Sequence, residues 1–312
     1  MTPKKCLVLL CTYNGEQYLR CQLDSVLSQT GVETHIRCAD DRSTDGTVAI
    51  LEEYRERYPD RFAYTVNEQN KRFTYNFLDL FFSTADTDYD YYAFCDQDDY
   101  WLPEKVSAAM AKIEAAEPHP NGVFYCSNLT VADEDLRPMG LQEDPRMLRR
   151  TTTATVKCEN IATGCTVVMD AAFHRHALRH YPQGILLHDF WLFLIAVFTA
   201  RAIYDKNAYI LYRQHGTNQI GTNQIGTNKK KFSFAGLRKF SRMKSKYPAL
   251  MRELVAGYGD LIPAEDLRDI ETIRDYRQKF GCRMKLLFCR RFRRRSAKLT
   301  LILKVEILTG KF

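Results

Sequence analysis

Phe94-Cys95-Asp96-Gln97-Asp98-Asp99-Tyr100-Trp101-Leu102-Pro103-Glu104-Lys105 places three carboxylates within four residues. The run Tyr89–Cys95 leading into it reads as a buried strand, and Pro103–Ala116 leading out reads as a helix with proline in its first turn. Adjacent carboxylates repel one another and are costly at a strand end unless a cation sits among them. Hard oxygen ligands suit Mg²⁺ or Mn²⁺, and such an ion would in turn hold a diphosphate. A solvated acidic turn is the plainer alternative, but an apolar strand on one side and a helix start on the other argue against it.

Upstream the same pattern repeats. Residues 5–11 (KCLVLLC) read as a continuous apolar strand that breaks at Thr12-Tyr13-Asn14, before a helix carrying Leu19, Leu23, Val26 and Leu27. Thr34–Ala39 reads as a second strand ending at Asp40-Asp41, followed by a helix over Thr47–Tyr58. Phe62–Asn67 is a third strand, and Asn76–Ser83 opens a helix. Strands alternating with helices at this spacing predict a mostly parallel, doubly wound, Rossmann-like α/β sheet. Ligands bind at the carboxyl ends of such strands, so three polar clusters at three strand ends converge on one crevice.

The second half is less regular. Gly122–Leu129 and Cys165–Met169 read as strands, Asp189–Ala200 as a helix apolar on every side, and Ala202–Tyr204 with Tyr209–Tyr212 as a hairpin. The repeat GTNQI-GTNQI-GTN at 216–228 is polar low-complexity sequence, expected to be a mobile loop. The expected division is a catalytic domain over 1–228 and a basic, mainly helical extension over 229–312.

Charge separates the same two parts. Residues 229–312 carry 23 Lys/Arg against 8 Asp/Glu, and residues 1–228 carry 22 against 30, within a net charge of +7. A basic extension suits an anionic membrane surface or a nucleic acid. The acidic body offers no matching stripe for nucleic acid, so the membrane reading is preferred. In 284–307, Met284, Leu287, Phe288, Phe292, Leu299, Leu303 and Ile307 fall near one helical face, a pattern for lying on a bilayer or for packing on the main domain.

Other chemistries find little support. The ten cysteines form no C-x-x-C pair, and several sit in apolar runs, as small buried hydrophobes do in a reducing cytosol. His174, His176 and His180 lack a nearby third ligand of zinc spacing. The apolar run after Lys4-Lys5 is too short for a signal peptide. Phe190–Ala200 falls short of the roughly 20 residues that span a bilayer.

Four further candidates carry chemistry. Asp40 and Asp41 precede a helix cap and can accept hydrogen bonds from a base N–H or ribose hydroxyls. Asp189 opens the all-apolar helix, where burial raises a carboxylate's pKa and the helix N-terminus lowers it; that balance leaves a poorly solvated, ionised base. Arg213, Gln214 and His215 form a polar cluster after the last predicted strand. Asp99, Trp101 and Trp191 are expected on the acceptor side, since aromatic faces stack on sugar rings; either tryptophan could equally be core, and for Trp191 core is the favoured role.

Taken in order, CTYNGEQYLRCQLDSVLSQT (11–30), ADDRSTDGT (39–47), FCDQDDYWLPEK (94–105), NIATGCTVVM (160–169), HDFWLFLIA (188–196) and LYRQHGTNQIG (211–221) resemble the family 2 glycosyltransferases, which have the GT-A fold. The resemblance is closest to the bacterial rhamnosyltransferases. It implies a metal-dependent, inverting transfer of a sugar from a nucleotide diphosphate, with dTDP-L-rhamnose as the expected donor. The acceptor would be a polysaccharide or lipid-linked glycan at the cytoplasmic face of the membrane. Thr12, Tyr13 and Asn14 then form the first nucleotide-contacting turn, Asp40 and Asp41 the base-binding pair, and Arg213 a donor contact. Asp96 would face the donor's ribose and the metal, Asp98 would be the direct metal ligand with help from His215, and Asp189 would be the catalytic base. Arg42 departs from the glycine usual after Asp-Asp. A nucleotidyltransferase acting on a sugar phosphate is the alternative enzyme reading; a basic-tailed nucleic-acid or membrane binding protein without catalysis is the alternative of another class.

Overall fold

The computed structural model describes residues 3–148, 152–216 and 247–312. The GTNQI repeat beyond Gly216 and the boundary expected at 228/229 lie outside the described residues. Those residues form two compact units. The first holds the chain to Glu143, Ala162–Tyr181 and the stretch from Ala200; the second holds Asp144–Ile161, Pro182–Thr199 and 247–312.

The first unit is built on one sheet in the order β3-β2-β1-β4-β8-β6-β9-β5, with β7 paired to β6. The strands are β1 Lys5–Thr12, β2 Glu33–Asp40, β3 Phe62–Val66, β4 Tyr91–Cys95, β5 Tyr100–Trp101, β6 Val123–Ala132, β7 Pro138–Leu141, β8 Val168–Asp170 and β9 Arg201–Arg213. β3, β2, β1 and β4 run parallel, β8 lies antiparallel between β4 and β6, and β6 and β9 are again parallel. The sheet is thus mixed and largely parallel. Helices α1 Leu19–Leu27, α2 Thr47–Arg57, α3 Arg72–Phe82, α4 Lys105–Glu114 and α7 Ala171–Ala177 belong to this unit. A core including Val8, Leu10, Leu23, Ala93 and Val106 packs α1, α2 and α4 on the strands, while α3 sets Phe77 and Phe81 against Phe94 and α7 sets Phe173 against Phe124. Parallel strands are buried on both faces, which is why β1 and β4 read as unbroken apolar runs. Register sets Thr12 opposite Asp40 and Leu10 opposite Cys95, so the segments that follow leave the sheet along one edge.

Two readings change here. The expected hairpin over 202–212 is a single strand, β9. Its polar interlude Asp205-Lys206-Asn207 resembles a turn, but the ladder absorbs it as a register shift opposite Ser127 and Asn128. Asp205 also accepts a hydrogen bond from the buried Tyr125 hydroxyl, a long-range partner that the local pattern could not reveal. Helix α3 starts four residues before the expected Asn76.

His174 belongs to the core of this unit. It is 1% exposed, stacks flat on Tyr92 at 3.6 Å and meets Phe81 edge-on. The Thr84 hydroxyl donates to the Phe81 carbonyl, so its oxygen accepts from His174 Nε2–H at 2.8 Å and the ring is neutral. Burial lowers its pKa to about 4. An unfolded histidine binds its proton near pH 6.5, so this group stabilises the fold fully above that pH and loses about 3 kcal/mol as pH falls toward 4. In thermal melts across that window, His174→Phe is expected to reduce the slope of Tm with pH. Some slope should remain from His188, which burial holds near 3. An unaltered slope would remove His174 as its source.

The second unit is helical. It contains α5 Pro145–Leu148, α6 Thr153–Val156, α8 His188–Thr199, α9 Tyr247–Tyr258, α10 Ala264–Asp275, α11 Phe280–Phe288 and α12 Ala297–Leu308. Helix α8 packs on α9 through Trp191 against Tyr258 and Phe190 against Tyr247. Lys157, 1% exposed, pairs with Asp266 at 2.7 Å and Asp269 at 2.8 Å, and Arg291 also reaches Asp269. The apolar pattern over 284–307 is not one helix. The chain leaves helix between α11 and α12, Phe292, Leu303 and Ile307 are fully buried, and Phe288 stays exposed. Among the described residues no helix is long and apolar enough to cross a membrane.

Candidate active site

Three loops leave the carboxyl ends of β1, β2 and β4 and are tied to one another. Asn14 N–H donates to Ser43 Oγ, and Asn14 Oδ1 accepts from Thr44 N–H, both at 2.8 Å. Gly15 N–H donates to Thr47 Oγ1. Gln97, between the aspartates, accepts from Tyr13 N–H and donates to Tyr13 O. A Cβ on Gly15 would lie 2.4 Å from the Gln97 amide oxygen, so a larger residue would have to displace the Gln97 side chain from its bonds to Tyr13. Tyr13 keeps 40% of its surface exposed at this edge, and Asn14 is exposed in the left-handed region at φ 48. Thr12, by contrast, is buried and donates to Asp40.

Arg42 also sits in the left-handed region, at φ 66, where a glycine would be unstrained. A non-glycine side chain there costs roughly 1–2 kcal/mol, partly offset by the greater unfolded-state freedom of glycine. Arg42→Gly is expected to raise the stability of the fold by about 0.5–1 kcal/mol, read as a higher urea midpoint. A lower midpoint would show that the Arg42 side chain contributes more than its backbone strain costs.

The two aspartates after β2 act first on the protein itself. Asp40 is fully buried, and its carboxylate accepts from Thr12 Oγ1, Ser43 N–H and Ser43 Oγ. These bonds brace the turn after β2. Asp41, 3% exposed, accepts from Asn67 Nδ2, Lys71 N–H and Arg72 N–H, and so holds the approach to α3. Its Oδ2 takes only the Arg72 bond.

The carboxylate cluster divides in the same way. Asp98 Oδ2 lies 2.8 Å from His215 Nε2, which brings the ends of β4 and β9 together. Arg213 organises this pair. Its Nε donates to the Asp98 carbonyl, its N–H to Asp99 Oδ1, and its Nη1 to the Glu134 carbonyl, while its guanidinium lies 4.5 Å over the Tyr18 ring. Tyr18 also meets the His215 ring at 4.7 Å. Arg213 is only 5% exposed, with these donors directed at the loops themselves.

Asp99 is fully buried. Burial, then Asp98 and Asp96, push its carboxyl well above the usual range, while the Arg213 N–H and the Cys165 thiol pull it the other way. Asp96, Asp99 and Cys165 have ligand atoms within 4.8 Å of one another. A hard divalent ion is poorly served there, because burial raises the Cys165 thiol well above its ordinary value and keeps it protonated. Trp101 is fully buried, with the Lys105 ammonium 3.4 Å over its ring and that amine lowered by burial to about 8. Trp191 is fully buried in the second unit. Asp99, Trp101 and Trp191, expected on the acceptor side, are thus all buried, and for the tryptophans this is the core placement that the sequence also allowed.

Asp189 is the second residue of α8, past the cap position. It is 8% exposed, and its Oδ1 accepts from Asn160 Nδ2 at 3.2 Å and from Phe190 N–H at 2.5 Å. Gln97, Tyr18, Ser43 and Asn160 were missed at the sequence level, although all four stand inside the quoted motifs.

Residues 7–181 match the profile of Glycosyl transferase family 2. The chain belongs to that family. It is therefore an enzyme that transfers sugars, which sets aside the nucleotidyltransferase and the non-catalytic binding readings. The transferase is 30% identical over 220 residues to the dTDP-rhamnosyl transferase RfbG of Shigella flexneri, covering 68% of this chain and 73% of that one. Its fold is GT-A. The transferase aligns with S. aureus TarS residues 1–349 in complex with UDP at TM-score 0.55 and 17% identity, over 92% of this chain and 73% of that one. Mannosyltransferase PcManGT from Pyrobaculum calidifontis, in complex with GDP-Man and Mn²⁺, aligns at TM-score 0.52 and 13% identity, over 98% and 80%.

Proposed function

We propose that this family 2 transferase moves L-rhamnose from dTDP-L-rhamnose onto a hydroxyl of a polysaccharide or lipid-linked glycan, with inversion, using Mg²⁺ or Mn²⁺. The observation that carries the reading is the Asp98–His215 contact at the carboxyl edge of a GT-A sheet. The likeness to a rhamnosyl transferase supports the donor, and the UDP and GDP-Man complexes of the structural neighbours support a nucleotide sugar.

The donor set fits a divalent ion. Asp98 Oδ2 and His215 Nε2 converge at 2.8 Å with little exposure, and Asp96 is two residues away on the same loop. Carboxylates suit Mg²⁺ and Mn²⁺ alike, while the imidazole favours the softer Mn²⁺. Such an ion supplies neutralisation of the charge that builds on the departing diphosphate. The chain's own residues do the rest. Arg213 and Tyr18 hold Asp98 and His215 in place. The exposed Tyr13 and Asn14, with the remaining lone pairs of Asp41 Oδ2, receive the nucleoside. Asp189 takes the proton of the acceptor hydroxyl; the acceptor oxygen bonds to the anomeric carbon as the bond to the diphosphate oxygen breaks and its electron pair leaves with the nucleoside diphosphate. One displacement inverts the centre.

The basic C-terminal region is proposed to bring the enzyme to the anionic inner face of the cytoplasmic membrane, where a lipid-linked acceptor would lie. A thermal-shift panel of dTDP-L-rhamnose and UDP-sugars, with and without Mn²⁺, tests the donor. The largest rise in Tm is expected with dTDP-L-rhamnose plus Mn²⁺. A larger rise with a UDP-sugar would replace the donor, and no rise with any nucleotide sugar would overturn the reading.

A further inference from the structure

We propose that a cavity of about 680 Å³ in the second unit, walled by the Cys289–Ser296 segment and α12, binds the phosphate headgroup of an anionic membrane lipid. The inference deepens the membrane reading above and is independent of donor, base and sugar transfer.

The cavity is lined by five arginine and lysine side chains, Arg290, Arg293, Arg294, Arg295 and Lys304. Two of them are neutralised inside the fold: Arg294 pairs with Glu306 at 2.7 Å and Arg295 with Glu159 at 3.0 Å. The other three are not. Lys304 donates to the Leu286 and Phe292 carbonyls and meets no carboxylate among the described residues. Arg290 and Arg293 are exposed at the rim, and among the described residues neither has an ion-pair partner. One ammonium and two guanidiniums around one cavity form an uncompensated positive site, and a guanidinium takes phosphate oxygens two at a time.

The surroundings of the cavity choose the source of that phosphate. Phe288 stands at its edge with 76% of its surface exposed. Along α12, Leu301, Val305 and Leu308 are 67%, 51% and 60% exposed, and Lys298 begins the same stripe. With 3.6 residues per turn, this stripe is the sector next to the one that carries Ala297, Thr300 and Lys304 into the cavity. An apolar sector beside a basic one is the pattern of a helix lying in a lipid interface, acyl chains on one side and headgroups on the other. A free phosphate would have no use for the apolar stripe. The segment 217–246 is a poor occupant, since it carries eight Lys/Arg and no Asp/Glu.

The test is co-sedimentation of the full chain with vesicles of phosphatidylcholine alone or mixed with phosphatidylglycerol, with soluble glycerol phosphate as competitor. Binding is expected only to the mixed vesicles. Each basic side chain near an anionic surface contributes about 1 kcal/mol, so the pair R290A/R293A should weaken partitioning about thirtyfold. Leu301→Ser should weaken it about tenfold by removing one inserted side chain. R290K/R293K keeps the charge and loses the paired donors, and should still bind about fivefold more weakly. All these positions are exposed, so unchanged Tm is expected and separates lost binding from lost folding. R290K/R293K binding like the native chain would overturn recognition in the cavity while leaving a diffuse electrostatic contact. Equal binding to both vesicle types, or glycerol phosphate binding without vesicle binding, would overturn the lipid assignment. Absence of all binding would overturn this inference and the membrane reading together.

Discussion

Asp98→Ala is expected to abolish the effect of Mn²⁺ on donor binding and, with it, measurable transfer. The side chain is 14% exposed and its one described partner is His215. Removing it deletes an oxygen ligand outright and leaves His215 and Asp96 without the carboxylate that meets the imidazole. Loss of a mere outer-shell partner already costs about 10–100-fold in metal affinity, so loss of a ligand should cost about a hundredfold or more. The main chain should not move, because Arg213 grips the Asp98 carbonyl rather than its side chain. Calorimetry with dTDP-L-rhamnose should therefore give the variant one affinity with and without Mn²⁺, matching the native chain in excess chelator. If the native chain itself binds donor equally well with and without the ion, the metal has no part in donor capture. If the variant responds to Mn²⁺ as the native chain does, Asp98 is not its ligand.

Asp189→Asn should lower kcat by roughly 10²–10⁴, the usual contribution of a general base, with donor affinity and Tm unchanged. The substitution preserves shape, and an asparagine oxygen still accepts from Asn160 Nδ2 and Phe190 N–H as the carboxylate does. What it removes is the ability to take a proton. The two variants thus fail differently: Asp98→Ala in donor capture, Asp189→Asn in turnover at full donor occupancy. Near-normal kcat in Asp189→Asn, measured with saturating acceptor, would take Asp189 out of the mechanism. A variant that also lost donor binding would make it a positioning group.

Much of the first unit was legible because its signals are local. β1 and β4 announce themselves as short apolar runs and β2 as an alternating one, each followed by Asn or Asp, and their parallel order follows from the helices between them. The clustering of Thr12, Asp40 and Asp96 at one sheet edge followed with them. Burial was the part that local signals could not give. Asp40, Asp99 and Arg213 are of types that can face a ligand, yet each is buried and bonded to a partner far along the chain. Arg213 reaches Asp98, 115 residues away, and Thr12 reaches Asp40, 28 residues away.

The order of residues alone determined the α/β alternation, the acidic strand ends, the family motifs and the excess of positive charge after 228, since each depends on neighbours within a few positions. Which of several equally plausible carboxylates meets His215, and which basic side chains of the C-terminal region stay uncompensated, was decided only by tertiary structure. A carboxylate or guanidinium has the same chemistry everywhere in the chain; burial and the partners brought to it by packing decide whether that chemistry braces the fold or faces a ligand.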